Sequence, residues 1–540
     1  NKVLAFPPQI GDRSDTAKFL SKYIDINPTR LEKILLGENR YIVIKRKLHP
    51  DVSTKIKKLY KENTERMLGI GLQEEYFRFY PEKTLAAQII GYLDHKSIGQ
   101  YGIERKFNTQ LQGEKGVFQT QKDSIGRQIT VGDSIIKPAV DGDNIVLTID
   151  RSIQLQTEKI LERRVRQYQA DFGQAIIIDP KTGNILAMAH APTFDPNIYG
   201  DVLNKELINL TNDEIKNLVP YDEEQGIHHL YINDETGERI MIFKELKENG
   251  EVVYKKFINK VGAEVYHNKS ITWPYEPGSV FKPIAMAAAI DDGDVKPQTT
   301  YYDNGPIEVD FNEYTQKYDY TIKNSTNDYY GRITMTQVLE KSLNTGMAYV
   351  AKKIGRTLFY SYMEKFGFGE RTDIEFDGEH AGKIPYYENW TESELITHAF
   401  GQGLTVTPLQ MVNAYAAIAN GGILMHPHIV ERVEHDNGKV TTFHPQALER
   451  AISEESATLM TAMLVSAVDN GVASPAQVAG HFVAGKTGTS QTYRGNRALT
   501  GAGTTITSFA GFAPINNPKF VILVKFDKPK TTEWGAQTAA

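Results

Sequence analysis

Residues 277–282 read Pro-Gly-Ser-Val-Phe-Lys, and the interpretation of the whole chain starts from this stretch. Pro-Gly predicts a turn and the Ala-rich run after it predicts a helix, so Ser279 is expected at a helix N-terminus. Ser279 and Lys282 are three positions apart and therefore share one helical face. The orphan amides and the positive dipole end of a helix stabilise negative charge on a nearby oxygen. A neutral Lys282 amine can then accept the Ser279 proton and turn a weak hydroxyl into a nucleophile.

A second pattern, Ser342-Leu343-Asn344, stands between two predicted helices. Its hydroxyl and its amide can point into one cleft if Leu343 faces the core. In isolation, a helix cap with a neighbouring Asn is the better explanation of this pattern.

The third pattern occupies residues 484–489, which read Ala-Gly-Lys-Thr-Gly-Thr after an apolar start typical of a strand. Along a strand, Lys486 and Gly488 share one side, and Thr487 and Thr489 share the other. A glycine at 488 would let a substrate backbone approach closely. The ordinary alternative is an edge strand with a glycine bulge.

The order of the three patterns decides between these explanations. Ser-x-x-Lys, Ser-x-Asn and Lys-Thr-Gly follow one another in the order found in penicillin-binding proteins and class A β-lactamases. Three coincidences in matching structural settings are improbable. The sequence therefore predicts one serine acyl-transfer site.

The chain around the patterns predicts an α+β fold. Strand-like runs occur at 173–179, 185–190, 481–489, 505–513 and 520–526, and helical segments fill the middle at 284–290, 334–355 and 407–420. Strands at both ends of a domain with helices between them predict a sheet in which the terminal strands pair.

Two further regions differ in texture from this domain. Residues 1–168 are polar and helical at first (15–23, 29–36, 51–68) and predict a non-catalytic N-terminal module before a domain of residues 169–540. Residues 201–269 are rich in charged and amide side chains and predict an insertion. A hairpin is expected there at 240–243 and 252–257, around Asn249-Gly250. The insertion is either a binding element or a solvated surface excursion.

Composition excludes other classes of function. The 540 residues carry a net charge of −6 and no cysteine. No basic field points to nucleic acid, and neither thiolate metal sites nor a Cys nucleophile can form. No apolar run is long enough to cross a bilayer. We expect no metal and no organic cofactor.

Beyond the trio, the chain resembles class B penicillin-binding proteins along nearly its whole length. The resemblance is carried by Tyr-Glu-Pro-Gly-Ser-Val-Phe-Lys-Pro at 275–283, Phe-Gly-Gln-Gly-Leu-Thr-Val-Thr-Pro-Leu-Gln at 400–410 and Ser-Phe-Ala-Gly-Phe-Ala-Pro at 508–514. The N-terminal region is similar to the family's elongated α+β pedestal in Arg-Phe-Tyr-Pro at 78–81 and Leu-Thr-Ile-Asp at 147–150. The resemblance implies a penicillin-binding/β-lactamase-like domain with a central antiparallel sheet and helices on both sides.

The same resemblance implies a D,D-transpeptidase that cross-links peptidoglycan, releases a terminal D-Ala and is inhibited by β-lactams. The expected catalytic residues are Ser279, Lys282, Ser342 and Lys486. The expected substrate-binding residues are Asn344, Thr487, Gly488 and Thr489. The backbone N–H groups of Ser279 and Thr489 are expected to form the oxyanion hole.

The resemblance also implies partners and a location. No acidic glycosyltransferase motif of the bifunctional class A enzymes is present, so a polytopic membrane glycosyltransferase is the expected partner, within a cell-division or elongation complex. A single N-terminal membrane anchor, outside this chain, would hold the catalytic domain on the extracytoplasmic side. The 508–514 stretch and Asp-Lys-Pro at 527–529 favour the division type.

Two alternatives stay open. A catalytically idle scaffold could activate the polymerase through the pedestal, but the intact trio argues against it. A β-lactamase or β-lactam sensor would share the trio without the pedestal.

Overall fold

The computed structural model describes residues 1–37, 39–48, 50–74, 77–119, 135–233, 238–247, 249–494, 497–499 and 501–540. Its contacts divide the chain into two compact units, Asn1–Pro81 and Glu82–Ala540. The larger unit holds every candidate site residue. No helix in the described ranges is both long enough and apolar enough to span a bilayer.

The Asn1–Pro81 unit is a small antiparallel sheet with helices packed on it. The strand order is Ile42–Lys45, Lys2–Ala5, Ile70–Gln73, and the helices are Arg13–Ile24, Pro28–Leu35 and Pro50–Glu62. These match the predicted helices closely. The third ends at residue 62 and not at 68, because the chain turns back through Gly69 (φ +78°) into the last strand.

A five-stranded antiparallel sheet forms the centre of the larger unit. The strand order is Ile185–Ala191, Phe172–Ile178, Phe520–Asp527, Thr505–Ala513, Ala484–Gln491. The first and last parts of the domain pair directly, with Leu523 opposite Ile176, as predicted from the sequence. The strand carrying Lys486 is at one edge.

Helices cover both faces of this sheet, which confirms the expected α+β fold. On one face, the helices Lys282–Asp291 and Pro408–Ala419 share an apolar cluster with Leu523. On the other face, the helix Arg151–Tyr168 packs near Ala175. Strand residues alternate between the two clusters because side chains alternate along a strand.

The division into compact units differs from the boundary expected at 168. The strand Asn144–Leu147 pairs with Val430–Glu434, and the helix Arg151–Tyr168 packs on the central sheet. The strand pairing and the helix packing both join residues 82–168 to the larger unit. The boundary between the two compact units therefore lies after Pro81.

The predicted insertion contains a sheet of its own. Its antiparallel strand order is Lys205–Leu207, Val252–Phe257, Glu238–Leu246, Ile227–Asn233, Val219–Asp222, with the helix Asn212–Lys216. The predicted hairpin is present, and Gly250 has a φ of +82° in its turn. The hairpin turn predicted from the Asn249-Gly250 pair is thus confirmed.

The remaining elements connect these layers. The other α-helices are Ala87–Ile90, Gly102–Lys106, Asn108–Gln112, Lys269–Thr272, Met335–Glu340, Asn344–Ile354, Arg356–Lys365, Glu392–Ala399, Glu454–Asp469 and Gly535–Thr538. The other strands are Tyr92–Leu93, Gly99–Gln100, Val117–Gln119, Ile135–Lys137, Thr300–Asp303, Ile307–Asn312, Lys317–Ile322, Gly331–Thr334, Ile423–Met425, Val440–Thr442, Ala447–Arg450, Tyr493–Arg494 and Arg497–Ala498. Short 3-10 turns occur at Pro7–Gln9, Pro196–Leu203, Gly262–Tyr266, Gly278–Phe281, Tyr387–Asn389 and Ser474–Ala476.

Candidate active site

Ser279 lies in the 3-10 turn Gly278–Phe281, which runs directly into the helix Lys282–Asp291. The helical start predicted here is present, although the regular α-helix begins only at residue 282. Gly278 has a φ of +59°, and a Cβ at this position would lie 2.6 Å from the carbonyl oxygen of Thr489. Only glycine fits so close an approach, so the Ser279 turn is held against the edge strand of the sheet.

The amine of Lys282 is fully buried and is directed at Ser342. Its Nζ donates to the Ser342 carbonyl oxygen at 2.6 Å, and it lies 3.3 Å from the Ser342 Oγ. Burial, and then the charge of Lys486, lower the pKa of Lys282 well below its usual value. The neutral amine that a general base requires is thereby favoured.

Lys486 approaches the same hydroxyl from the sheet. Its Nζ donates to Ser342 Oγ at 3.0 Å and to the Thr487 carbonyl oxygen at 3.1 Å. Burial lowers the pKa of Lys486 to about 7. No carboxylate of the described residues is among the groups that shift the pKa of either lysine. Ser342 Oγ therefore lies between two amines whose pKa values are lowered by burial.

The Ser342 segment has the conformation that this arrangement needs. Ser342 has a φ of +56°, Leu343 is buried in the core, and Asn344 is the first residue of the next helix. The condition set from the sequence, that Leu343 faces the core, is thus met. Asn344 Nδ2 donates to the Lys323 carbonyl oxygen at 2.8 Å and lies at the wall of a cleft.

A buried polar network behind Asn344 was missed from the sequence. Thr345 Oγ1 donates to Asp303 at 2.7 Å, and Thr345 N donates to Asn324 Oδ1 at 3.1 Å. Asp303 also accepts from the backbone N–H of Tyr330 at 3.1 Å. These side chains are almost fully buried. The network fixes the start of the helix that carries Asn344.

Gly488 faces the turn that carries Ser279. A Cβ at 488 would lie 2.7 Å from Ser508 Oγ, 2.8 Å from Val280 Cγ1 and 3.0 Å from the Pro277 carbonyl oxygen. Packing inside the protein is thus sufficient to require glycine. Thr487, on the opposite side of the strand, is buried.

Thr489 has a partner that sequence reasoning did not include. Its Oγ1 accepts from the backbone N–H of Gly535 at 3.0 Å, and a Cβ on Gly535 would lie 2.2 Å from the Gly488 carbonyl oxygen. Residues 533–535 thus return to the active-site strand. The Trp534-Gly535 pair in the sequence does not by itself indicate a contact with Thr489.

A cleft of about 370 Å³ opens beside these residues. The lining residues are Tyr320, Thr321, Ile322, Lys323, Ser325, Asn344, Phe400, Gln402, Thr489, Gln491, Leu499, Thr505, Glu533 and Trp534. A cleft with few charges and some aromatic side chains suits a peptide ligand.

The predicted residues lie on three segments that contact one another: the 279–282 turn and helix start, the 342–344 loop and the 486–489 strand. Of these residues, Asn344 and Thr489 line the cleft. Within the described ranges, no group of three or more His, Asp or Glu side chains is placed to hold a metal ion. The arrangement offers a hydroxyl, two weakly basic amines and an edge strand, which together support acyl transfer.

Two family models match the chain. The model of the penicillin binding protein transpeptidase domain matches residues 173–540, and that of the penicillin-binding protein dimerisation domain matches residues 2–147.

Curated relatives resemble the chain over its full length. Stage V sporulation protein D of Bacillus subtilis is 28% identical over 546 residues, which cover 100% of this chain and 73% of that protein. Peptidoglycan D,D-transpeptidase FtsI of Buchnera aphidicola is 27% identical over 537 residues, which cover 98% of this chain and 79% of that protein.

Solved structures agree with these matches. Penicillin binding protein 3 of Mycobacterium tuberculosis in its apo form has a TM-score of 0.63 and 27% identity, with 84% of each chain covered. The same protein complexed with ampicillin gives a TM-score of 0.63 and 27% identity, with 84% of this chain and 83% of that chain covered.

Proposed function

The chain belongs to the class B penicillin-binding proteins and is a peptidoglycan D,D-transpeptidase, and we propose that Ser279 is its acylated nucleophile. The observation that carries the proposal is the position of Ser342 Oγ, within hydrogen-bond distance of both Lys282 and Lys486. Such a hydroxyl connects the base at the nucleophile to a second proton carrier on the substrate strand.

In the first step, neutral Lys282 takes the Ser279 proton, and Ser279 Oγ attacks the carbonyl carbon between the two terminal D-Ala residues of a donor stem peptide. The backbone N–H groups of Ser279 and Thr489 stabilise the oxyanion. One such donor contributes about 3–4 kcal/mol in acyl transfer.

The peptide bond then breaks, and the departing D-Ala amine needs a proton. Ser342 and Lys486 supply it, since the hydroxyl and the amine are in contact at 3.0 Å. The proton taken from Ser279 can return by this route through Lys282, so the step leaves an ester on Ser279, free D-Ala and no net change in protons.

The substrate is held by the residues on both sides of the cleft. Asn344 binds the peptide amide, and the hydroxyls of Thr487 and Thr489 bind the terminal carboxylate. Gly488 lets the strand and the Ser279 turn approach each other closely. An amine of a second stem peptide then attacks the ester, which forms the cross-link and restores the Ser279 hydroxyl. β-Lactams acylate Ser279 in place of the donor.

The wider setting is also part of the proposal. Residues 1–168 act as the pedestal and residues 169–540 as the transpeptidase domain. A membrane anchor holds the enzyme beside a polytopic glycosyltransferase in a cell-division complex. The division role is supported by similarity to the Buchnera FtsI protein, whereas the sporulation name of the Bacillus relative shows that specialised roles occur among similar proteins.

An exchange assay tests the reaction. The protein is incubated with a stem pentapeptide ending in D-Ala-D-Ala and an excess of isotopically labelled D-Ala. We expect one labelled D-Ala to enter the peptide for each unlabelled D-Ala released, and no exchange with Ser279→Ala. Absence of exchange by a chain that still binds the peptide would support the idle scaffold, and rapid penicillin hydrolysis without exchange would support a β-lactamase.

A further inference from the structure

An aromatic hairpin adjoins the catalytic cleft. It consists of the strands Ile307–Asn312 and Lys317–Ile322, which pair antiparallel. In the register of this hairpin, Val309 is opposite Tyr320 and Phe311 is opposite Tyr318. Because Tyr318 and Tyr320 are two positions apart on one strand, the two pairs belong to the same face.

The inner and outer parts of that face differ in exposure. At its base, Val309 and Ile322 are buried in the core. Towards the tip the side chains are aromatic and accessible: Tyr320 is 47% exposed, Tyr318 49%, Phe311 50% and Tyr314 100%. The rings of Phe311 and Tyr318 pack edge to face with their centroids 5.1 Å apart, and this contact fixes their orientation.

The hairpin is anchored through its other strand face. The carboxylate of Asp310 accepts from the backbone N–H groups of Glu392 at 3.1 Å and Ser393 at 3.3 Å, at the start of the helix Glu392–Ala399. A carboxylate at a helix N-terminus is a favourable contact. The polar face of the hairpin is therefore bound to the rest of the protein through Asp310. The aromatic face stays accessible to solvent.

The aromatic face is continuous with the catalytic cleft. Tyr320 belongs to the hairpin and also lines the cleft together with Asn344. Tyr318 follows about 7 Å further out along the strand. A substrate whose peptide lies in the cleft and whose remaining part extends along the hairpin would meet these rings in succession.

The size of the face argues against a stable protein partner. A fully buried aromatic side chain covers about 150–250 Å², so four residues that are 47–100% exposed offer on the order of 400–600 Å². A standard protein interface needs about 800 Å² from each partner. The face is the right size for a few sugar rings, whose flat C–H surfaces stack on aromatic rings and whose hydroxyls can bond to the three tyrosine hydroxyls.

We propose that the aromatic hairpin binds the glycan part of the substrate, with Tyr320, Tyr318, Phe311 and Tyr314 forming a shelf for N-acetylated pyranose rings. The proposal rests on the proposed function, because stem peptides in peptidoglycan are attached to a glycan chain. The shelf selects peptides that are still joined to glycan over free peptides.

The test uses the double variant Phe311→Ala/Tyr318→Ala, with Tyr221→Ala as the matched control, since Tyr221 is 65% exposed but lies in the insertion. Binding of peptide-free glycan strands is measured directly. We expect the wild-type protein and the control to bind them, and the double variant to bind about tenfold more weakly or worse.

Kinetics separate the shelf from the catalytic site. The double variant should show a raised KM for glycan-linked pentapeptide, an unchanged KM for the free pentapeptide, and wild-type acylation by penicillin, which also proves that it is folded. Equal glycan binding by the double variant and the wild type would overturn the proposal. A protein would then be the alternative ligand of the aromatic face. An equal rise in KM for both substrates would also overturn the proposal. Loss of the Ser279 adduct in the wild type would instead count against the proposed function.

Discussion

Ser342 and Lys486 are joined by a hydrogen bond of 3.0 Å from the lysine Nζ to the serine Oγ, although the two residues come from a helix–helix loop and a sheet edge. The same Oγ lies 3.3 Å from the amine of Lys282. One hydroxyl thus links two buried amines. In the part of the chain that the structure describes, no carboxylate is among the groups that shift their pKa values. This link is the structural basis of the predictions that follow.

The first prediction concerns pH. Lys282 acts as a base only when it is neutral, so acylation should rise with pH through the pKa of Lys282. Lys486→Gln removes a positive charge that lowers this pKa, so the rising limb should move to higher pH. The second-order rate constant for acylation by penicillin, measured across the pH range, checks this. A limb that stays in place or moves to lower pH would contradict the coupling.

The second prediction removes the shared hydroxyl. Ser342→Gly keeps the left-handed backbone at φ +56° and should reduce acylation by about a hundredfold or more, because the proton path is lost. Ser342→Ala should lose as much activity and be less stable than the glycine variant, since its Cβ, like that of the native serine, is strained at this φ. Acylation rates and melting temperatures of both variants separate the two effects. Wild-type acylation by the glycine variant would show that the hydroxyl is dispensable.

The third prediction concerns the contact between the nucleophile turn and the sheet. Gly278→Ala places a Cβ 2.6 Å from the Thr489 carbonyl oxygen at a φ of +59°, so the Ser279 turn must shift. We expect acylation to fall by about tenfold or more, since small displacements of reacting groups are costly. Gly200→Ala is the control, because no atom lies within 4 Å of its added Cβ. Equal rates for the two variants would refute the tight contact.

The fourth prediction addresses the network behind Asn344. Asp303→Ala removes the acceptor of the Tyr330 N–H and one of the two acceptors of the buried Thr345 hydroxyl, which keeps Asn324 Oδ1 at 2.9 Å. The melting temperature should fall by about 3–6 °C, and the KM for donor peptide should rise. Asp303→Asn keeps an acceptor oxygen and should retain most of both properties. The melting temperatures and the D-Ala exchange kinetics of the alanine and asparagine variants are compared. Identical values for the two variants would show that the network does not position Asn344.

The central sheet could be predicted because its strands carry continuous apolar runs, such as those at Phe172–Ile178 and Phe520–Asp527. The meeting of the three motifs could be predicted because each pattern is local and their order is specific. A buried Leu343 also followed from the requirement that Ser342 and Asn344 face one cleft.

Other features depend on contacts that no local pattern encodes. The Asp303–Asn324–Thr345 network joins three separate segments, and Gly535 reaches Thr489 only because the chain end returns to the edge strand. The boundary of the compact units was likewise set by a pairing between Asn144–Leu147 and Val430–Glu434, strands far apart in the sequence. Long-range pairing of this kind is decided by the packing of the whole domain.

Covalent labelling tests the central claim most directly. The protein is incubated with a fluorescent penicillin, digested, and the modified peptide is located by mass spectrometry. We expect one long-lived adduct on Ser279 and no labelling of Ser279→Ala. An adduct on another residue, or labelling that persists in Ser279→Ala, would contradict it.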